Sequence, residues 1–247
     1  MELALFALWC FLVAAAGGLV GLVLGNLRLP ATVVVGTSAA AGAGANLAIS
    51  AIAAATAAIA HVRAGRVNWR LFAWMAPPSI LGALAGGYLG STVPEDLLLG
   101  FIAAVLFYSA HELFTKPPSP KPDAGEDLHY GAAVATGAVI GVLGGVVGLI
   151  LGSLRMPALL RYVGETPHRA VGTNVTVGLL VGVAGALAHI PEAPPDLDVV
   201  VVGGLASIPG ALLGSRLTGR LDEVQLVRAV AVVLVVAGAA CAAQAFG

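Results

Sequence analysis

The chain contains two copies of one unit, and this duplication constrains its fold more than any other feature. Residues 17–30 read GGLVGLVLGNLRLP and residues 144–157 read GGVVGLILGSLRMP, which are identical at ten of fourteen positions. With one inserted residue, the match continues and pairs Asn46 with Asn174 and His61 with His189. A repeat this long is not a solenoid, whose units run to about 20 to 50 residues. The chain therefore consists of two related halves.

The composition indicates an integral membrane protein. Hydrophobic residues make up 59% of the chain and charged residues only 10%, whereas soluble domains are about one quarter charged. A helix needs about 20 apolar residues to cross the hydrocarbon core. Eight apolar stretches approach this length, roughly at residues 3–24, 44–60, 71–89, 97–113, 132–151, 170–188, 199–213 and 224–245. We predict an all-α polytopic protein that crosses the lipid bilayer several times, in the plasma membrane of a prokaryotic cell.

A polar linker divides the halves. Residues 116–129 read KPPSPKPDAGEDLH and hold both lysines of the chain, a composition that favours an extended, solvated connection. We expect a first transmembrane repeat over 1–114, a linker over 115–129 and a second repeat over 130–247. The N-terminal apolar run has no basic residues before it and belongs to the repeat, so we do not expect a cleaved signal.

The distribution of basic residues predicts that the halves are inverted. Cytoplasmic loops carry an excess of Lys and Arg. If eight spans simply alternate, the two faces receive five and six basic residues, which gives no bias. If the first segment of each half enters and leaves on the same side, ten fall on one face and only Arg28 on the other. The ten are Arg63, Arg66, Arg70, Lys116, Lys121, Arg155, Arg161, Arg169, Arg216 and Arg220.

A re-entrant first segment needs a break in its helix, and paired glycines offer one in equivalent places. Gly17 and Gly18 match Gly144 and Gly145, and glycine permits turns that other residues resist. In transporters built from inverted repeats, such broken helices meet near the membrane midplane and form the substrate site. The alternative is that these glycines only allow close packing of helices, within the chain or in a homodimer.

Polar residues at matched positions are candidates for substrate binding. Asn46 and Asn174 lie in otherwise apolar sequence, and Thr173 and Thr176 flank the second. If each asparagine opens a helix, the helix N-terminus offers backbone N–H groups and a favourable dipole to an anion. Asparagine and threonine are also ordinary helix caps. Ser153, in the second glycine-rich block, is a further candidate.

Two arginines and two histidines recur in the repeat. Arg28 and Arg155 precede the prolines that end the glycine-rich blocks, and a guanidinium can hold an oxyanion by two parallel hydrogen bonds. The alternative is that both reach lipid headgroups or mark topology. His61 and His189 end matched apolar stretches and could couple protons to transport, although a histidine there is more often interfacial.

Other classes of function find little support in the sequence. Cys10 and Cys241 are isolated, and no metal-ligand spacing, Walker motif or basic cluster for nucleic acid is present. We therefore expect no metal, no cofactor and no enzymatic activity. An intramembrane hydrolase would need a pair such as Ser153 with His189, but the position matching Ser153 in the first half is Asn26. A passive channel or a nontransporting subunit stays an open alternative.

In their order and duplication, these motifs resemble the sulfite exporter family TauE/SafE, also called toluene sulfonate uptake permeases. The elements in the first half are residues 17–30, Gly44-Ala45-Asn46, His61, the loop 65–69 (GRVNW) and the glycine-rich segment 82–90. Those in the second half are residues 144–157, 170–174 (AVGTN), His189 and 210–219. The resemblance implies a secondary transporter, an exporter or permease, that moves a small sulfur oxyanion such as sulfite or an organosulfonate by alternating access.

Overall fold

The structure is a computed structural model that describes residues 2–89, 95–115, 128–147, 151–189 and 195–246. Within these ranges the chain forms ten helices and no strand, as the sequence predicts. The helices are α1 (Glu2–Val20), α2 (Gly25–Val35), α3 (Ala39–Arg63), α4 (Trp69–Leu89), α5 (Glu95–Thr115), α6 (Tyr130–Val147), α7 (Gly152–Ala158, continued by a π-helical turn over Leu159–Val163), α8 (Pro167–His189), α9 (Leu197–Thr218) and α10 (Glu223–Phe246). Residues 116–127 of the predicted linker lie outside the described residues.

Five of the described helices are long and apolar enough to cross a membrane, which agrees with a membrane protein. They contain the segments Leu3–Val20, Ala41–Arg63, Asp96–Thr115, Leu197–Thr218 and Glu223–Phe246. The first segment of the second half, Tyr130–Val146, is apolar but shorter. The first predicted stretch, residues 3–24, is therefore not one helix, since α1 ends at Val20.

The helix breaks do not lie at the paired glycines, which corrects the prediction. Gly17 and Gly18 are inside α1, and Gly144 and Gly145 are inside α6, which continues to Val147. The first break comes at Gly21, whose φ of 67° is a left-handed conformation that glycine adopts at little cost. Gly18 instead allows close packing, because a Cβ there would lie 2.5 Å from the carbonyl oxygen of Ala211 in α9. For Gly18, the packing alternative was therefore correct.

After its break, the first segment turns back along α1. The Leu22 amide donates to the Gly17 carbonyl at 2.9 Å, which caps the end of α1. Trp9, near the start of α1, donates through Nε1 to the Leu27 carbonyl of α2 at 3.1 Å. A chain that continued onward would carry Leu27 far from Trp9, because the eleven steps along the helix from Trp9 to Val20 rise about 16 Å. Helix α2 therefore lies beside α1.

The helices of the two halves pack against each other in a symmetric pattern. Helix α1 packs on α9, and its counterpart α6 packs on α4; equivalent helices also meet, α3 with α8 and α5 with α10. Exchanging the halves leaves this set of contacts unchanged. The equivalent helices α5 and α10 run antiparallel, since Gly100 lies next to Phe246 while Gly238 lies next to Leu106. The ends of α3 and α8 also meet head to tail, because Gly172 packs against the backbone of Arg66.

Candidate functional site

The two broken segments meet at Asn174, a residue of α8. The buried Asn174 side chain donates through Nδ2 to the Gly21 carbonyl at 2.8 Å and to the Gly152 carbonyl at 3.0 Å. Gly21 begins the break of the first half, and Gly152 begins the helix that follows the break of the second. One amide thus supplies a donor to the Gly21 carbonyl, which follows the end of α1, and a second donor to the Gly152 carbonyl at the start of α7.

Both repeated arginines are buried at this crossing. Arg28 and Arg155 are each 1% exposed, and each is the fourth residue of its helix, α2 or α7. Arg155 donates through Nη1 to Asn174 Oδ1 at 3.3 Å, and Arg28 donates through Nη2 to Ser50 Oγ at 3.5 Å. The alternative that these arginines reach lipid headgroups is therefore wrong.

The buried guanidinium groups are not neutralised by carboxylates in the part of the chain that the structure describes. The ion pairs found there are Arg161 with Glu112 and Arg169 with Glu165. Arg28 Nε and Nη1 and Arg155 Nε also lack any hydrogen-bond partner among the described residues. A buried charge without a partner costs several kcal/mol. The centre of the molecule therefore offers positive charge and free donors.

The repeated asparagines do not open helices, which corrects a second prediction. Asn46 and Asn174 are each the eighth residue of their helices, α3 and α8. Ser38 caps α3 instead, accepting from the Ala41 amide at 3.1 Å. The side chains of the asparagines, and not the backbone around them, face the site. Asn46 is buried, and its Oδ1 has no partner among the described residues.

Other predicted residues have structural partners. Thr173 Oγ1 accepts from the Asn68 amide at 2.9 Å, so it holds the loop between α3 and α4 against α8. Thr176 Oγ1 donates to the Gly172 carbonyl at 2.7 Å within its own helix. Ser153 is buried in the first turn of α7. The hydroxyl groups of both threonines are therefore used in hydrogen bonds within the protein.

Sequence reasoning missed two features of the site. Ser50 is fully buried and contacts Arg28; its spacing of four from Asn46, which puts both on one face of a helix, could have revealed it. The start of α2 also points at the site, since Gly25 lies against Asn46 and Ser50 and the cap position Leu24 makes no side-chain cap hydrogen bond. Short helices that follow a break are hard to recognise in an apolar sequence.

A small cavity adjoins Arg28. Its volume is about 10 Å³, enough for about one water molecule. Residues of α1, the first break, α2, α3 and α8 line it, among them Ala14, Gly17, Leu22, Arg28, Ala57 and Val175. The conformation is therefore closed around the arginine.

His61 is buried close to this cavity. It is 0% exposed, and its Nε2 lies 3.0 Å from the Gly18 carbonyl, which can only accept. Its Nδ1 lies 3.5 Å from Arg66 Nη1, which can only donate, so the ring is neutral in this arrangement. Arg66 also donates to the Ser215 carbonyl at 2.9 Å, and partial burial lowers the pKa of its guanidinium. These contacts hold the ends of α1, α3 and α9 together.

A buried carboxylate, also missed by the sequence reasoning, fixes the same end of the molecule. Glu165 is buried and accepts from Asn68 Nδ2 at 2.5 Å and from the Thr166 amide at 3.0 Å. The pair joins the loop after α3 to the residues before α8. Its role is to hold the two halves together, since its oxygens already have donors.

The serine and histidine pair of a hydrolase does not form. Gly152, next to Ser153, lies beside Asn174, and His189 is fifteen residues further along α8, which is about 22 Å of helix rise. The side chain of His189 is outside the described residues. Ser153 and His189 are thus too far apart to act together.

Comparison with known proteins gives a consistent result. The family model for the sulfite exporter TauE/SafE matches residues 6–241. The chain is similar to the probable membrane transporter protein YdhB of Bacillus subtilis, 26% identical over 79% of this chain and 81% of the relative. It is also similar to the probable membrane transporter protein y4hK of Sinorhizobium fredii, 31% identical over 69% of this chain and 70% of the relative. No solved structure matches the chain.

Proposed function

Because this chain belongs to the sulfite exporter TauE/SafE family of membrane transporters, we propose that it carries a small sulfur oxyanion, such as sulfite or an organosulfonate, across the plasma membrane of a prokaryotic cell. Its path runs through the crossing of the two broken segments. The resemblance drawn from the sequence motifs is confirmed, since the match spans nearly the whole chain.

The observation that carries this proposal is the pair of buried arginines. Arg28 and Arg155 keep donors without partners inside an apolar bundle, and no carboxylate among the described residues pairs with either. Charged residues inside a membrane are costly and mark substrate or ion pathways. An oxyanion that enters supplies the missing negative charge and accepts hydrogen bonds from the free N–H groups. A cation is repelled by the two guanidinium groups. The site therefore favours anions.

The N-terminus of α2 strengthens the preference of the site for anions. The first amides of a helix carry partial positive charge and bind anions, and the N-terminus of α2 lies beside Asn46 and Ser50 with no side-chain cap. Arg28 lies in the same first turn. Charge and dipole thus act together at one place.

Helix directions support an inverted arrangement of the halves. The equivalent helices α5 and α10 run antiparallel, and the end of α3 meets the start of α8. Arg28 and Arg155, which the charge count placed in loops, are buried in helices; without them the count is nine basic residues on one face and none on the other. Inverted repeats around a central site are the usual basis of alternating access, which we propose here.

Protons are the coupling ion that the structure favours. His61 is a buried histidine close to the cavity, because it lies one helical turn beyond the lining residue Ala57. A second proton on its ring would face the guanidinium of Arg66 and weaken the contacts that close this end. A passive anion channel would have no such dependence.

Flux measurements in proteoliposomes test the proposal. The purified protein is reconstituted, and the flux of sulfite, an organosulfonate and an unrelated carboxylate is measured with and without a proton gradient. We expect sulfite or sulfonate flux that the gradient accelerates, and little carboxylate flux. Carboxylate flux alone would overturn the substrate class, and anion flux that no gradient can drive uphill would indicate a channel.

A further inference from the structure

We propose that the anion binds to one half of the crossing only, the first half-site formed by Arg28, Asn46, Ser50 and the start of α2, and that Asn46 selects anions that also donate a hydrogen bond. The inference rests on the proposed function, because it names the chemistry of the substrate at that same site. The matched residues of the second half, Arg155 and Asn174, have a different role.

The second half-site is occupied by internal hydrogen bonds. Asn174 uses both hydrogens of Nδ2, on the Gly21 and Gly152 carbonyls, and its Oδ1 accepts from Arg155. An amide has two donors and one acceptor oxygen, so little capacity remains for a ligand. Breaking these bonds would also release both broken segments. Asn174 thus positions the two broken segments, and Arg155 is hydrogen-bonded to it.

The first half-site is free by contrast. Arg28 Nε and Nη1 and Asn46 Oδ1 are buried and have no partner among the described residues. Arg28 Nη2 reaches Ser50 Oγ only at 3.5 Å, a weak contact. Arg28 also lines the cavity. Buried polar atoms without partners are rare and point to a ligand.

Ser50 lies beside both Arg28 and the start of α2. A Cβ built on Gly25 would lie 3.1 Å from Ser50 Oγ and 3.2 Å from Asn46 Nδ2, so both side chains border the start of α2. Arg28 touches the same Ser50 hydroxyl. In the proposal, opening of this closed conformation lets a ligand of a few atoms contact the guanidinium and the Asn46 amide at once.

The free atoms define the chemistry of the ligand. The Arg28 nitrogens only donate, so they require acceptor oxygens, as on a sulfur oxyanion. Asn46 Oδ1 only accepts, so it requires an O–H or N–H on the ligand. A site built to bond such a hydrogen rejects an analogue that lacks it, because its own acceptor is then left unpaired. The preferred substrate is therefore an oxyanion with a hydroxyl or amino group, hydrogensulfite included.

Two sulfonates of equal size test the selection. 2-Hydroxyethanesulfonate and 1-propanesulfonate differ by a hydroxyl in place of a methyl, and each is used to compete with sulfite flux in proteoliposomes. We expect the hydroxylated compound to compete at about tenfold lower concentration, the value of one hydrogen bond to a buried acceptor. In Asn46→Ala this ratio should fall to about one, while in Thr56→Ala, whose hydroxyl only bonds the Ile52 carbonyl of the same helix, it should stay at its wild-type value.

The outcomes separate the inference from the proposed function. Equal competition by the two sulfonates in the wild type, competition by neither, or an unchanged ratio in Asn46→Ala would overturn the selection by Asn46. Wild-type protein without sulfite or sulfonate flux would overturn the proposed function itself. If Asn46→Ala does not fold, Asn46→Leu fills the same volume without an acceptor and should give the same loss of preference.

Discussion

The side chain of Asn174 donates to the backbone carbonyl of Gly21 at 2.8 Å, across a separation of 153 residues in sequence. This bond links a helix of the second half to the break in the first half. The same amide nitrogen also donates to the Gly152 carbonyl, so one side chain fixes the point where both broken segments cross. The position of the two arginines depends on it, because each lies in the first turn after its break.

We predict that Asn174→Ala lowers stability more than it lowers anion affinity. The substitution leaves the buried Gly21 carbonyl without this donor, which costs about 1–3 kcal/mol, and it removes the second donor of the Gly152 carbonyl at the start of α7. Thermal unfolding in detergent should show a decrease of several degrees in Tm. The matched variant Asn46→Ala should keep a Tm near that of the wild type, since Asn46 Oδ1 has no described partner to lose. Equal Tm values for the two variants would contradict the division of roles.

Arg28 should be required as an arginine and not merely as a positive charge. Arg28→Lys keeps the charge but loses the planar set of donors, so we expect sulfite flux to fall at least about tenfold. Arg228→Lys, at an exposed position on α10, is the control and should transport normally. The amount of folded protein, measured by size-exclusion chromatography, should match between the two. Full transport by Arg28→Lys would show that a positive charge alone is sufficient at this position.

Gly21 and Gly65 form a natural matched pair for the break in the first half. Their φ angles are 67° and 68°, so alanine costs about 1 kcal/mol of backbone strain at either position. At Gly21 a new Cβ would also lie 2.6 Å from Val171 Cα, while at Gly65 nothing lies within 4 Å. We expect Gly65→Ala to fold with a small loss of Tm and Gly21→Ala to fold poorly. Comparable Tm values for both would mean that α8 can move away from the break.

Much of this architecture could be predicted from the sequence, because it depends on periodic or repeated features. Long apolar stretches required membrane helices, and the repeated glycine-rich block located the broken segments to within a few residues. The repeat also identified Arg28, Asn46 and their partners as a set. Each of these inferences used the identity of residues along the chain, which the sequence states directly.

The sequence could not show which members of the set would be used internally. Arg28 and Arg155 look alike, yet Arg155 bonds an asparagine amide and keeps one nitrogen without a described partner, whereas Arg28 keeps two. Such differences arise from contacts between distant segments, as between Asn68 and Glu165. The break was misplaced for the same reason, since Gly18 meets a helix of the other half and Gly21 does not continue α1.

The inverted arrangement makes a clear prediction for labelling from the two sides of the membrane. In a protein whose native Cys10 and Cys241 are replaced by alanine, single cysteines are placed at the exposed positions Thr37, Ala64 and Arg220. Ala64→Cys and Arg220→Cys should react with a membrane-impermeant reagent from one side, and Thr37→Cys only from the other. Labelling of positions 64 and 220 from opposite sides would contradict the arrangement.

His61 should link transport to protons. Its neutral ring donates to the Gly18 carbonyl and faces Arg66, with His168 the other nearby titratable side chain. A second proton would place like charges together and loosen the closed end. His61→Gln can keep a donor to Gly18 but cannot take up a proton in this range, so we expect anion flux to persist while its acceleration by an inward proton gradient disappears. His129→Gln, at an exposed position, should keep that acceleration. Gradient-driven flux that survives in His61→Gln would assign proton coupling to another group, and His168 would be the first to test, because it is the titratable neighbour that remains.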